Sequence, residues 1–466
     1  MTERTWRSIV VVVLAGLAAG RPVQAGERTD ARGVGMARTH VAVACGIDAL
    51  GTNPANLALP DDATITISLL PVGVHLGSDV FSYDLYRRYF AGVTTDSGRV
   101  GVNLTDADKR DILGRFTNGL GHGFIDVEAR PLGVAVALGD LGTAALTMTD
   151  RLVGSAAMPK EYLEFLFYGN PPGSRYDFGG SEASVAWTRE YALSYARPLP
   201  AIPVLQSWYA GISIKLVHGL SYAGIDRFKA SLATSAVGVL EGTVDVLTRR
   251  AGLDPTEKDF GQMVTPFPAP AGTGFGVDLG LSGSLDDVIR VGISITDLGS
   301  ISWQQELQET VTSSTVHLEN PFEGGERDSL DRALRGKSRE GTPFSTVLPA
   351  TLRLGACVEL HRLPWFQEVL AGELTVAVDY AQGLTRALGG TVVPRGSLGV
   401  EYRPWGFLPL RTGISFGGTD GVNVAFGLGF HFGVYDLDLA TENLGWIFTP
   451  NSAAYGSFAL SMRFRI

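Results

Sequence analysis

The sequence predicts an all-β protein that crosses a membrane as an antiparallel β-barrel of about 14 strands. Three observations carry that expectation. Segment after segment alternates apolar and small or polar residues with period two, as a strand does when its side chains project to opposite faces. Glycine occurs 59 times in 466 residues, without a collagen period, which fits strands with little side-chain volume on one face. Charged residues are only 18%, yet no stretch after residue 25 reaches the roughly 18 apolar residues that a spanning helix needs.

In chain order, residues 1–25 have the layout of a secretory signal. Arg4 and Arg7 precede an apolar core from Ile9 to Ala19, and Val23-Gln24-Ala25 forms a small-residue cleavage site. Without Glu3, Arg4, Arg7 and Arg21 the formal charge of −10 becomes −12, which argues against a nucleic-acid partner. Cys45 and Cys357 are too few and too far apart for a disulfide framework or a metal site. Residues 26–62 are rich in glycine, alanine and small polar residues and show no period.

From Ala63 onward alternation takes over. Ile65, Ile67 and Leu69 oppose Thr64, Thr66 and Ser68; Val185, Trp187, Tyr191, Leu193 and Tyr195 form a row broken only by Arg189. The pattern recurs around residues 212–216, 275–282, 289–296, 352–361, 374–381, 398–403 and 423–432. A soluble sandwich would stud its second face with Lys and Glu. Here that face is mostly Gly, Ala and Ser, while aromatics crowd the first, as expected for lipid outside and a filled polar lumen inside. Arg353, Glu359, Asp379, Glu401, Arg403, Arg411 and Arg463 fall on the lumen side. Residues 105–116 read as a short helix capped by Thr105, and residues 159–168 and 238–250 also read as helical. Residues 319–341 form a charged loop with a helix expected over 328–335. Such insertions belong in loops.

Gly33-Val34-Gly35-Met36, Val41-Ala42-Val43, Asp48-Ala49-Leu50 and Asn53-Pro54-Ala55-Asn56-Leu57-Ala58 follow one another in about 30 residues. The order resembles the N-terminal hatch of the outer-membrane long-chain fatty-acid transporter (FadL-like) superfamily. Ala37-Arg38 stands where that family has a glycine pair, Thr52 where it has an aromatic residue, and Asn56 where it has a glycine. Leu104 to Arg110 and Met158-Pro159-Lys160 look more like an uncharacterised branch of the superfamily. The resemblance implies a hatch over residues 26–62 inside a barrel formed by residues 63–466. Its hatch-motif residues are Gly33, Gly35, Met36, Asn53, Pro54, Ala55 and Asn56. Locally, Asn53-Pro54-Ala55-Asn56 also reads as a turn, since Pro54 fixes its own φ and both asparagines can bond nearby backbone.

Catalytic motifs are absent from the sequence. None of the seven histidines forms a close metal-ligand pair, Gly280-Leu281-Ser282-Gly283 lacks the spacing of a nucleophile elbow, and Gly272, Gly274 and Gly276 lack a phosphate fingerprint. The expectation is a barrel without enzyme activity, cofactor or metal. It takes up a hydrophobic or amphipathic small molecule passively or, alternatively, acts as an accessory or shuttle barrel for surface proteins. Residues 455–466 put Phe458, Leu460, Met462, Phe464 and Ile466 on one face. With Tyr455 near its start, this strand resembles the C-terminal signal read by the barrel-assembly machinery, apart from Ile466 in place of a terminal aromatic. The expected location is the bacterial outer membrane, with outer-membrane lipid and the assembly machinery as partners.

Overall fold

The computed structural model describes Arg28 and residues 30–95, 98–101, 103–200, 202, 205–252, 265–319, 336–387, 389–418, 421–449 and 451–466. The signal segment and the helix expected over 328–335 lie outside them. Strong alternation and an unbroken supply of ladder partners give a closed antiparallel barrel of 14 strands. The wall begins with Ile65–Ser68, continued by Val72–Ser78. It runs on through Leu120–Ala137, Thr143–Pro159, Glu182–Pro198, Ser207–Thr234, Gly272–Ser284 and Ile289–Trp303. Thr351–Glu359, Glu373–Gly383, Arg395–Arg403, Leu410–Gly417, Gly421–Phe432, Tyr435–Thr441 and Tyr455–Arg465 complete it.

The last strand pairs back onto the first: Thr66 faces Arg465, Val72 faces Leu460, and the Ile466 amide donates to the Ile65 carbonyl at 2.8 Å. Closure removes the unpaired edge that lipid could not satisfy. The first strand is interrupted at residues 69–71, where Leu70 has φ 46° and Pro71 has no N–H to give. The facing strand answers with a register shift between Ala129 and Leu132.

Ser457, Ala459, Ser461 and Arg463 are buried and face inward, whereas Phe458 and Phe464 are exposed on the outer surface. The same holds around the ring: Leu193, Phe275 and Val378 are 62%, 68% and 51% exposed at mid-strand. An apolar belt of that kind is costly in water and favourable in lipid. Among the described residues no helix is long and apolar enough to cross a membrane. Arg189, the break in its row, points outward in register with Asp150 and is ion-paired to it at 2.8 Å. The Thr265 carbonyl accepts from the same guanidinium and Tyr191 donates to the Pro266 carbonyl, so a loop shields the pair from the outside.

Connections at one end are mostly short, such as that between Phe432 and Tyr435; most of those at the other end are long. Long connections mark the outer end of a membrane barrel. There Asp106–Leu113 forms with a capping box, the Thr105 hydroxyl accepting from the Asp108 amide and the Asp108 carboxylate from the Thr105 amide. Glu161–Tyr168 is the second expected helix. Ile112, Phe116 and Leu163 pack these helices with Val80, Leu85 and Tyr89 into a small outer core.

Residues 238–250 are a correction: they are not helical but lie largely in the strand Leu240–Gly252. Thr243, Val244, Val246 and Thr248 are β-branched, and the strand finds ladders on both sides, with Ser221–Thr234 and Gln308–Leu318. Full pairing outweighs the local preference. Ser207–Thr234 therefore changes neighbour midway, pairing Gly272–Ser284 in the wall and Leu240–Gly252 above it. The alternation expected to run through His361 is a second correction. The strand ends at Glu359, and His361 lies in the turn Leu360–Arg362.

Removing residues 464–466 deletes the pairs that join Thr66 and Ile67 to the last strand. The truncated chain should remain unassembled; normal heat-modifiable migration in gel electrophoresis would count against that expectation.

Candidate functional site

Residues 30–59 lie inside the ring and touch strands on all sides of it. Asp30 caps the helix Ala31–Gly35, accepting from the Gly33 amide at 2.7 Å. Ala37 and Arg38 follow with φ 53° and 61°. Both hold the left-handed backbone for which glycine is the easy choice. Asn53 caps the 3-10 turn Pro54–Ala58 through its Oδ1, which accepts from the Ala55 amide at 3.2 Å. Its Nδ2 donates to the carbonyls of Val41 and of Leu281 in the wall. Asn56 donates to the carbonyls of Val41 and Ala44, both at 2.9 Å. The Asn-Pro-Ala-Asn run is both a turn and a cross-lumen brace, and both asparagines are 0% exposed.

The wall makes room with glycine. Gly211, Gly280, Gly292, Gly355, Gly399, Gly413 and Gly427 lie on seven of the eight wall strands between Ser207 and Phe432. A Cβ on any of them would come within 3.0 Å of residues 35–55. The eighth strand, Glu373–Gly383, presents Ala377 and the carboxylate of Asp379, which accepts from the backbone amides of His40 at 2.7 Å and Val41 at 2.8 Å. Of the hatch-motif residues, Gly35 meets Gly427, Met36 meets Gly399 and Gly413, and Asn53 and Pro54 meet Gly280. Gly33 has its place inside the segment, beneath His40, and Ala55 packs with Tyr209.

Charge frames the segment on two sides. On one side Arg28 is buried against Glu190 at 2.8 Å, with Glu128 and Asp297 at 3.4 and 3.3 Å. Arg151 lies 3.6 Å from Glu190, and Lys215 lies 2.7 Å from Asp278 and 2.5 Å from Asp297. On the other, the Arg32 guanidinium reaches both oxygens of Glu401, at 2.8 and 3.0 Å. Glu401 also receives Arg411, which bonds Asp438 at 2.5 Å; Arg463 joins Asp438 to Asp48 of the segment. Paired in this way the buried charges are tolerated, while loss of one partner strands the other. The expected inward charges Asp379, Glu401, Arg411 and Arg463 are thus brought together with the segment, Arg353 bonds Thr296, and Glu359 bonds Arg290. The cluster of Arg28, Glu128, Arg151, Glu190, Lys215, Asp278 and Asp297 was not singled out from sequence, although alternation places Glu190, Lys215 and Asp278 on the inward face.

Towards the outer end the lumen turns apolar. Val153, Ala186, Val217, Tyr222, Ile301, Trp303 and Leu348 form one buried cluster, with Trp303 fully enclosed over Gly219 and Gly272. The loop carrying Gly389 reaches Val153 from the opposite side of the ring.

Residues 54–441 match the model of a family of unknown function (DUF5723). The chain belongs to that family. No curated protein matches its sequence. Among solved structures it is similar to the Ralstonia pickettii toluene transporter TbuX, at 14% identity over 95% of this chain and 99% of that one, with a TM-score of 0.47. It is similar also to a Pseudomonas aeruginosa FadL homologue, at 13% over 96% and 100% with a TM-score of 0.47. The toluene transporter TodX of P. putida stands at 12% over 95% and 99%, with a TM-score of 0.45.

Two predictions address how the segment is held. Cys357 is buried under it, 3.6 Å from the Ala42 carbonyl, so alkylation of Cys357 in a Cys45→Ser background reports its departure. Asp379→Ala leaves two buried amides without acceptors, each costing about 1–3 kcal/mol, and should speed alkylation roughly tenfold or more. His40 is buried, its Nε2 2.9 Å from the Thr52 hydroxyl. Burial pushes it down from 6.5 to about 4, against the pull of Asp30 and with Arg353, Arg38 and Arg32 lowering it further. A departed segment would protonate His40 below 6.5 and the seated one only near 4. The contribution of His40 to seating should therefore be complete above 6.5 and shrink as pH falls towards 4, and His40→Gln should remove that contribution.

Proposed function

We propose that this protein is a bacterial outer-membrane barrel for passive uptake of hydrophobic or amphipathic small molecules. Residues 26–62 serve as its plug, and export uses a cleaved signal over residues 1–25. The observation that carries the reading is that the wall is complete without the segment: every ladder of the ring is strand to strand, and among the described residues the segment adds none. What fills the lumen is therefore separable from what encloses it. The apolar cluster around Trp303 suits the body of such a solute, and the charged layer around Arg28 suits a polar head. Residues Tyr455, Phe458, Leu460, Met462, Phe464 and Ile466 would serve as the assembly signal.

Purified protein in liposomes should pass fatty acids or other hydrophobic solutes faster than empty liposomes, and faster again without residues 26–60. Equal rates with and without protein would remove the support for uptake. The sheet extension made by Ser221–Thr234, Leu240–Gly252 and Gln308–Leu318 favours a second reading, a barrel that holds a secreted protein at its outer end. Under it, deleting residues 319–341 abolishes a co-purifying partner and leaves solute flux unchanged.

A further inference from the structure

A groove of about 430 Å³ lies at the outer end of the seam where the first wall strand meets the last. Val74, Leu76 and Phe458, from the outward apolar row, line its lower part. Phe81, Ser82 and Tyr83 form one bank; Trp446, Ala453 and Ala454 form the other. The banks are tied together, the Asp84 amide donating to the Asn451 carbonyl at 2.7 Å and the Ser78 amide to the Ala454 carbonyl at 2.9 Å. Trp446 leans over Gly456, where a Cβ would stand 3.3 Å from its ring. Beside the groove Tyr86, Phe90, Ile447 and Phe448 are exposed, Phe448 by 75%.

Two cations accompany these rings. The Arg87 guanidinium lies 5.9 Å from the centre of the Tyr83 ring and that of Arg88 5.1 Å from the centre of Tyr89. Both side chains are exposed, and neither is in an ion pair among the described residues. Between Phe81 and Phe90 the acid is Asp84. From the neighbouring helix Asp111 accepts from the Tyr89 hydroxyl at 2.9 Å and Asp108 feels the charge of Arg88, so Arg87 is the cation with fewer acids beside it.

We propose that this groove holds a phosphorylated lipid of the outer leaflet, with acyl chain against Leu76, Phe458 and Trp446 and headgroup phosphate on Arg87 and Arg88. The groove continues the apolar belt of the wall, so its occupant comes from the lipid side. It lies where strands give way to loops, the depth at which aromatic side chains gather between acyl chains and headgroups. A guanidinium stacked on a ring keeps its in-plane N–H groups for a phosphate. An uncharged solute would leave both arginines unused. A partner strand would need a free edge, and Val72–Ser78 is already paired on both sides. The proposal goes beyond uptake through the lumen, and its failure leaves the flux experiment untouched.

The test uses the full-length protein in mixed micelles with diphosphorylated lipid A and with its dephosphorylated counterpart of identical acyl chains, the retained lipid being read by native mass spectrometry. The expected result is roughly tenfold or greater preference for the phosphorylated lipid, from two arginines at a membrane surface. Arg87→Gln/Arg88→Gln should abolish the preference while the barrel keeps its heat-modifiable migration. Trp446→Ser should reduce retention of both lipids. Equal retention by the unaltered protein, or a preference that survives the double substitution, overturns the proposal. So does loss of the lipid on adding millimolar inorganic phosphate, which would mark a site for a free anion only.

Discussion

A ring of 14 strands encloses more space than its own side chains fill, and the structure depends on how that space is occupied. The solution is contact between backbone and backbone. Where residues 35–55 cross, the wall bears hydrogen in place of side chains, and the segment lies directly against the strands. Close approach lets Asp379, Asn53 and Ser294 bridge segment and wall, Ser294 donating to the Thr52 carbonyl at 2.6 Å. Any larger residue in that belt would separate the surfaces and lengthen those bonds together. The high glycine content is thus a property of one interior surface as well as of turns.

Polar contacts of this kind fix where the segment sits as well as hold it. An apolar seam would bind it through area alone and give no geometric preference. A buried carboxylate accepting two amides fixes one position of the segment and loses both bonds after a small displacement. The charged layers behave alike, because Arg28 and Arg32 meet Glu190 and Glu401 of the wall, and Arg38 meets Glu442 just beyond the strand that ends at Thr441. Water reaching those pairs would weaken their attraction and solvate the ions at the same time, so wetting and displacement are coupled.

Much of the wall was legible in the sequence because period two is a one-dimensional signal. The terminal strand reads correctly from Ser457 to Phe464, and Thr105 announces its helix because a capping box is complete within four residues. Residues 238–250 were misread because one of the two ladders that make them a strand lies far away in sequence, on Val316 and Thr310, while the other is a hairpin with Leu232 and Ala230 that no strong turn signal announces. Arg189 was visible as an anomaly but not as half of a pair, since Asp150 sits a full strand earlier. The glycines were legible as a composition and not as a belt. Their alignment depends on the stagger of strands around the ring, which no single strand encodes.

The ladder between Thr66 and Arg465 joins residues separated by almost the whole wall, so its closure entropy is met only when every intervening strand is in place. The segment that occupies the interior precedes all of them in the chain. Threading Arg28, Arg32 and Arg38 with the segment into a finished ring would carry unpaired charge through a dry passage. Winding the strands around a segment already docked avoids that passage. Order of synthesis, with the filling first and the last strand of the enclosure at the end, thereby becomes a determinant of which interior the molecule acquires.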